Sequence, residues 1–267
     1  MTSHRSTELP REFAEAIADV EARLAPLGSR FEFFPTIGST NDVAAQYAAF
    51  DDHEGAVFFA DAQTSGRGRR GRTWFSPPGA GLYVSTILRP SRSREKERAL
   101  LLTTIAAGVA LAEGVTAATG LEPSLKWPND LYVGKRKLAG ILAEGVGNAV
   151  ILGYGINISA ASFPPELGDR ATSLESELGR RIDRSRVFVE TLAALAARYG
   201  DLLDGRFDAI LDAWRARAPA AQGTRVSWTT PVGERSGVTA GIDDRGALLV
   251  RCGDAIERIV AGELVWL

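Results

Sequence analysis

The segment from residue 63 to residue 81 limits the possible folds of this chain most strongly, because helices and strands tolerate its residue types poorly. It holds five glycines and two adjacent prolines, Pro77 and Pro78, and it shows no hydrophobic periodicity. Residues 66–71 read Gly-Arg-Gly-Arg-Arg-Gly, which matches the G-x-G-x-x-G pattern of dinucleotide-binding folds. That fold needs a helix that opens on the motif, and the two prolines exclude such a helix. A long loop of this kind is typically functional or disordered.

Four arginines lie within residues 66–72, and we call residues 65–75 the glycine–arginine loop. Glycines let the backbone approach a ligand closely, and arginines supply forked donors for phosphate and carboxylate oxygens. A loop that orders over such an anion is therefore the favoured interpretation. A nucleic-acid segment in which Trp74 stacks on a base is a second interpretation. A solvated loop without function is the third, and the mutual repulsion of four like charges argues against it.

The lysines form a second dense segment, since three of the four in the chain lie between residues 126 and 137. Strict strand alternation places Lys137 on one face with Ala139 and Ile141, and Gly140 on the opposite face. A lysine that points inward needs an opposite charge, although a surface lysine with a buried stem is the simpler alternative. Gly140 indicates the close approach of a ligand or of another backbone segment.

Charge and composition exclude several classes of protein. The formal net charge is −2 and the pI is about 5.9, which disfavours a general nucleic-acid binder. The single cysteine, Cys252, excludes a disulfide framework, and with His4 and His53 it leaves too few ligands for a structural zinc site. The first residues lack the apolar core of a signal peptide, and the longest apolar stretch, near residues 99–112, is short for a membrane span. A cytosolic protein is expected.

Hydrophobic spacing predicts both helices and strands. Helices are predicted over residues 10–28, 41–50, 95–119 and 185–203, and around Trp214. Strands are predicted over residues 30–34, 57–60, 82–88 and 150–158, with further strands between 124 and 144 joined by a Gly134-Lys135 turn. After Pro219, five short runs separated by glycines predict a small β-barrel.

Several of these segments together resemble biotin protein ligases, also called holocarboxylase synthetases. The resemblance extends from about residue 30 to the end of the chain. It is carried by the segments GSTN at 38–41, GRGRRGRTWFSPPGAGLYVS at 66–85, KWPNDLYVGKRKLAGILAE at 126–144, GYGINIS at 153–159 and GIDDRGALLV at 241–250.

The resemblance implies an α+β fold class. A mixed β-sheet packed with helices, similar to the class II aminoacyl-tRNA synthetase catalytic fold, is expected over residues 1–218, with an N-terminal helix within 1–29. An SH3-like β-barrel is expected over residues 219–267. About thirty residues precede the first strand, so a monofunctional ligase without a DNA-binding domain is expected. The enzyme would be cytoplasmic, a monomer or a homodimer, with no membrane or DNA partner.

The implied reaction has two steps and brings two anions together. Biotin and ATP, with Mg²⁺ held mainly by the ATP phosphates and no metal site on the protein, give biotinyl-5′-adenylate and pyrophosphate. Biotin then passes to a lysine of a biotin carboxyl carrier protein. Arginines and lysines suit this chemistry because they neutralise the repulsion between a carboxylate and a polyphosphate.

The resemblance also implies roles for individual residues. The residues with implied catalytic roles are Arg67, Arg69, Lys126, Lys137 and Asp130. Asp130 would deprotonate the acceptor lysine. Biotin would contact Ser39, Thr40, Asn41, Gln63, Arg67, Gly68, Arg69, Gly81, Leu82, Lys137, Gly140 and Gly155. ATP and the adenylate would contact Arg69, Arg72, Trp74, Lys126, Asn129, Lys137 and Asn157.

Two alternatives remain. A lipoate ligase or octanoyltransferase would share the catalytic fold, but the arginines followed by Trp74, together with the KWPND segment, disfavour it. A nucleic-acid-binding module built on the barrel and the glycine–arginine loop is disfavoured by the pI. Because of its glycines and its self-repulsion, the loop is predicted to be mobile until a ligand binds.

Overall fold

The computed structural model describes residues 7–49, 53–230, 233–262 and 264–267, and two β-sheets with six α-helices organise this part of the chain. The helices are α1 (Arg11–Val20), α2 (Thr40–Tyr47), α3 (Lys96–Thr119), α4 (Leu174–Leu178), α5 (Arg184–Leu203) and α6 (Phe207–Arg217). The strands are β1 (Arg30–Phe34), β2 (Ala56–Ala60), β3 (Gly81–Leu88), β4 (Ser124–Lys126), β5 (Asp130–Val133), β6 (Arg136–Val146), β7 (Ala149–Asn157), β8 (Gln222–Thr230), β9 (Gly233–Ile242), β10 (Leu248–Cys252), β11 (Ala255–Ile259) and β12 (Val265–Trp266).

The larger sheet is mixed, with seven strands in the order β1-β2-β3-β7-β6-β5-β4. Strands β1 and β2 are parallel, and the other neighbours are antiparallel. The predicted turn joins β5 to β6, because Val133 pairs with Arg136 and leaves Gly134 and Lys135 between them. Gly134 has a φ of 57°, which glycine adopts without steric cost.

The two faces of this sheet are covered unequally. The main core, on one face, includes side chains from α1, α3, α5 and α6, among them Phe13, Phe188 and Trp214. On the other face, α2 packs a smaller cluster against Phe58, Ile87 and other residues of the β1–β2–β3–β7 region. The part of that face where β6 meets the end of β7 is left for the segments that form the site.

Helix α3 is long and apolar enough to cross a membrane by length and composition alone, yet 72% of its most apolar window is buried inside the molecule. Such burial is typical of a core helix. Its Gly114 lets α5 approach closely, since a Cβ there would lie 2.4 Å from the Cα of Thr191. Gly120, with a φ of 81°, ends the helix in the left-handed conformation.

The five strands predicted after Pro219 form a second, antiparallel sheet in the order β11-β10-β9-β8-β12. The indole nitrogen of Trp127 donates a hydrogen bond of 3.0 Å to the carbonyl of Gly246, which attaches this sheet to the larger one. The predicted α+β class, a mixed sheet with helices followed by a small SH3-like unit, is confirmed.

Two predicted helix ends differ from the structure. Helix α1 ends at Val20, and a 3₁₀ turn over Glu21–Arg23 follows, so the helix does not reach Gly28. Pro26 cannot donate a helical hydrogen bond, which prevents a helix from continuing to Gly28. Helix α2 ends at Tyr47; its predicted end, Phe50, lies outside the described residues, as does His4.

The predicted face of Lys137 is wrong, because β6 contains a bulge. Tyr132 pairs with Lys137 and Leu131 with Ala139, so Leu138 is an extra residue in the ladder. A bulge reverses the alternation of the side chains that follow it. Lys137 therefore shares a face with Gly140, where a Cβ would lie 3.1 Å from its Nζ.

Candidate active site

A cavity of about 760 Å³ lies against β6 and β7 and is bordered by the glycine–arginine loop, the turn before β5 and the last strand, β12. Sixteen of the predicted site residues line it: Ser39, Thr40, Asn41, Gln63, Arg67, Gly68, Arg69, Arg72, Trp74, Lys126, Asn129, Asp130, Lys137, Gly140, Gly155 and Asn157. Gly81 and Leu82 do not line this cavity. The Leu82 side chain is buried in the main core, and a Cβ on Gly81 would meet the ring of Tyr83.

Neutral hydrogen-bonding groups form one wall of the cavity, where α2 begins. Gln63 Oε1 accepts hydrogen bonds from the backbone N–H of Thr40 at 2.9 Å and from its hydroxyl at 3.2 Å. The buried Ser85 hydroxyl lies 2.7 Å from Thr40 Oγ1 and 2.5 Å from Asn41 Oδ1. Gln63 Nε2 donates to Ser76 Oγ at 3.0 Å. This wall offers both donors and acceptors without a net charge.

The glycine–arginine loop brings its charges to the rim of the cavity. Arg67 Nη2 lies 2.8 Å from Asp42 Oδ1 and 2.8 Å from Glu144 Oε2. Arg69 Nη1 donates to Asn129 Oδ1 at 3.2 Å, which joins the loop to the turn before β5. Two arginines of the loop are therefore held next to the cavity.

Trp74 covers a floor of glycines on β6 and β7. Gly140 and Gly155 pair with each other. A Cβ on Gly140 would lie 3.0 Å from the indole ring, and a Cβ on Gly155 would lie 2.3 Å from it. The indole nitrogen is buried, and no described residue accepts its hydrogen. Lys137 Nζ lies 5.4 Å from the ring centroid. The close approach predicted at Gly140 is thus made by an aromatic ring and a lysine.

Lys126 and Lys137 line the cavity near β5 and form its cationic end. Lys137 Nζ forms an ion pair of 2.7 Å with Asp130 Oδ1. Lys126 Nζ lies 4.5 Å from the ring centroid of Tyr132 and 5.2 Å from that of Trp266. Burial, with the nearby charge of Lys137, lowers the pKa of Lys126 despite the opposing effect of Asp130. Burial also raises the pKa of Tyr132 to about 12, so this phenol stays neutral at physiological pH.

Asparagine side chains support the backbone around this cationic end. Asn129 Nδ2 donates to the carbonyl of Ile141 at 2.6 Å, and Asn157 Nδ2 donates to the carbonyl of Thr172 at 2.9 Å. These bonds connect the turn before β5 with β6, and the end of β7 with the segment that follows it.

The prediction missed several residues that shape the site. Ser85 carries a polar group in a strand whose residues are all buried. A polar side chain in such a strand needs a hydrogen-bond partner, and this signal is visible in the sequence. Glu144 follows Gly140 and Leu142 at two-residue intervals on the cavity face of β6, which strand periodicity also indicates. Other lining residues that the prediction missed lie in irregular or terminal segments without a local signal, among them Phe163, Pro164, Leu167, Arg170, Ala171, Leu264, Val265 and Trp266.

Across the described part of the chain, no group of three or more histidine, cysteine, aspartate or glutamate side chains is placed to hold a metal ion.

Comparison with known proteins shows which family has this arrangement. Residues 33–159 match the model of the biotin/lipoate A/B protein ligase family, and residues 223–265 match the biotin protein ligase C terminal domain. The chain is 33% identical to the bifunctional ligase/repressor BirA of Bacillus subtilis, over 98% of this chain and 81% of the relative. It is 35% identical to the biotin--[acetyl-CoA-carboxylase] ligase of Mycobacterium tuberculosis, over 86% of each chain.

A solved structure shows the same similarity in three dimensions. The biotin protein ligase from Aquifex aeolicus in complex with biotin and ATP superposes with a TM-score of 0.78 and is 28% identical, covering 89% of this chain and 98% of that one. The likeness therefore extends over both sheets as well as over the sequence. This chain belongs to the biotin protein ligase family.

Proposed function

We propose that this chain is an ATP-dependent ligase that forms biotinyl-5′-adenylate and transfers biotin to a lysine of a biotin carboxyl carrier protein. The observation that carries the proposal is the meeting of two basic segments at one cavity whose other wall is neutral and polar. Arg67 and Arg69 reach it from the glycine–arginine loop, and Lys126 and Lys137 reach it from the segment around β5. The cavity thus suits a neutral cyclic urea at one end and converging anions at the other.

In the first step, a carboxylate oxygen of biotin attacks the α-phosphorus of ATP, and the bond to the β-phosphate oxygen breaks to release pyrophosphate. The biotin ring would bind beside Thr40, Asn41 and Gln63, which offer the donors and acceptors that a urea group requires. Arg69 and Lys137 would lie on either side of the carboxylate and α-phosphate, where positive charge lowers the repulsion between the two anions.

In the second step, the amine of the acceptor lysine attacks the acyl carbon, and AMP leaves. The attacking amine must lose a proton, since an ordinary lysine is mostly protonated at neutral pH. Asp130 is the proposed acceptor of that proton. Its carboxylate forms an ion pair of 2.7 Å with Lys137. Ligand anions would draw Lys137 away and leave Asp130 available.

Magnesium would enter with ATP and be held mainly by its phosphates. We further propose that the boundary between the catalytic and C-terminal domains lies near Pro219, where the last helix gives way to the second sheet. We also propose a cytoplasmic location, because a chain with a single cysteine has no need of an oxidising compartment.

The direct test is incubation with biotin, ATP, Mg²⁺ and an apo carrier domain, followed by mass measurement of the carrier. One biotin should be added per carrier, and none without ATP. Parallel reactions contain lipoate or octanoate in place of biotin. In a separate experiment, the protein is titrated with a DNA duplex. Transfer of lipoate or octanoate instead of biotin, or tight DNA binding without biotin binding, would refute the proposal.

The assigned roles are tested by pyrophosphate release. Lys137→Ala and Arg69→Ala should slow adenylate formation at least about a hundredfold, because each removes a cation from a charge-crowded transition state. Lys96→Ala, which changes an exposed lysine on α3, serves as the control. Normal rates in both site variants would remove these residues from the mechanism.

A further inference from the structure

Glu144 lies on the cavity face of β6, beyond Gly140 and Leu142, and one of its oxygens joins two separate parts of the site. Its Oε2 accepts a hydrogen bond of 2.7 Å from Asn41 Nδ2. The same oxygen accepts a hydrogen bond of 2.8 Å from Arg67 Nη2. Hydrogen bonds with an ionised donor or acceptor are stronger than neutral ones, so this carboxylate holds both donors firmly.

The two donors belong to elements that the sequence separates widely. Asn41 is in the first turn of α2, where its Oδ1 lies 2.5 Å from the buried Ser85 hydroxyl. Arg67 is in the glycine–arginine loop, and its second carboxylate partner is Asp42 at 2.8 Å. Glu144 therefore connects the neutral wall of the cavity to the loop, whereas Asp42 contacts the loop from α2 itself.

The other end of the loop is attached to the same network. Thr40 is bonded to Gln63, and Gln63 donates to Ser76 Oγ. The Ser76 hydroxyl in turn lies 3.1 Å from the carbonyl oxygen of Trp74. The loop has backbone hydrogen bonds of its own, with a bridge between Arg67 and Thr73 and a 3₁₀ turn over Arg69–Gly71. The side-chain bonds attach this unit to the wall of the cavity.

We propose that Glu144 is a positioning residue that couples occupation of the biotin-ring wall to closure of the glycine–arginine loop. Its carboxylate holds Asn41 in the orientation that faces the ligand, and the same oxygen holds Arg67 over the cavity. It touches neither reacting group. This inference rests on the proposed function, because the coupling matters only if biotin binds beside Asn41.

The test compares Glu144→Gln with two matched variants. Asp42→Asn removes the other carboxylate partner of Arg67, and Glu113→Gln removes a partly buried carboxylate that pairs with Arg198 away from the cavity. Pyrophosphate release gives KM for biotin and kcat. Protease nicking between residues 65 and 75 at saturating biotin reports loop closure, and thermal melting reports folding.

Glu144→Gln should raise KM for biotin about tenfold, the loss expected for a charge-assisted hydrogen bond, and change kcat much less. Biotin should protect the loop from nicking in the wild type but not in this variant. Asp42→Asn should raise KM less than about threefold, because Asp42 is exposed. Glu113→Gln should leave both readouts unchanged.

The outcomes separate this inference from the proposed function. A wild-type protein that neither binds biotin nor releases pyrophosphate overturns the proposed function, and the inference with it. If the wild type is active and Glu144→Gln keeps a normal biotin KM and normal loop protection, the inference alone is overturned. Equal effects of Glu144→Gln and Asp42→Asn overturn it as well. If Glu144→Gln does not fold, Glu144→Asp replaces it. Its shorter carboxylate cannot reach both donors, so a normal biotin KM there also overturns the inference.

Discussion

Lys126 shows how a single residue depends on neighbours that its sequence position does not reveal. Its ammonium group lies over the rings of Tyr132 and Trp266, and burial lowers its pKa. Asp130 partly offsets that effect and Lys137 adds to it. A bound polyphosphate would favour the charged ammonium and reverse the shift.

We therefore predict that KM for ATP rises as the pH passes through the lowered pKa of Lys126, since the free amine no longer attracts phosphate. That pKa lies below the ordinary lysine value of 10.5. Tyr132, with a pKa of about 12, stays neutral over that range. Lys126→Arg keeps its charge there and should lose this rise. Steady-state kinetics across pH 7.5 to 10 measures it, with Lys96→Arg as the control. An unchanged profile in Lys126→Arg would assign the rise to another group.

The glycine floor gives a second prediction at a single residue. In Gly155→Ala the new Cβ would lie 2.3 Å from the indole nitrogen of Trp74, so the ring must leave its place over the floor. Adenylate formation should fall at least about tenfold. Gly145→Ala on β6 is the matched control, since no heavy atom of the described residues lies within 4 Å of a Cβ there. Pyrophosphate release compares them, and equal rates would contradict the role of the floor.

At the scale of an element, α3 could be predicted almost to the residue, since the sequence indicates 95–119 and the structure has Lys96–Thr119. Its long apolar run leaves little ambiguity between helix and strand. The bulge in β6 could not be predicted, because an extra residue in a ladder is defined by the partner strand. Leu138 carries no local signal that it would be skipped in the pairing with β5.

Two glycines of α3 should respond in opposite ways to the same substitution. Gly108→Ala should raise the free energy of unfolding by up to about 1 kcal/mol, because its nearest neighbour would be Leu125 Cδ2 at an ordinary 3.5 Å. Gly114→Ala should lower it by about 3 kcal/mol, because its Cβ would meet the backbone of Thr191. Urea denaturation measures both changes. Similar values for the two would argue against close contact of α3 with α5.

At the scale of the whole molecule, the second sheet contributes directly to the cavity. Strand β12 brings Trp266 within 5.2 Å of Lys126, and Gly246 accepts a hydrogen bond from Trp127 beside the same turn. These contacts cross between parts of the chain more than a hundred residues apart. The sequence indicated two units but placed every site residue in the first.

Trp266→Ala should consequently raise KM for ATP several-fold, because Lys126 loses an aromatic partner worth about 1 kcal/mol. KM for biotin should change little, since the neutral wall lies at the other end of the cavity. Leu267→Ala, at a side chain that is 73% exposed, is the control. An effect on biotin alone would contradict this division of the cavity.

The local elements and the chemistry available to them can be predicted from the sequence alone. Periodicity located the helices and strands, glycines and prolines located the glycine–arginine loop, and the motifs identified the cations of the site. Which charges meet depends on the folded arrangement, as with the ion pairs of Arg67 with Glu144 and of Lys137 with Asp130. Periodicity describes neighbours along the chain, whereas strand register, a bulge and the packing of a second sheet depend on partners distant in the sequence.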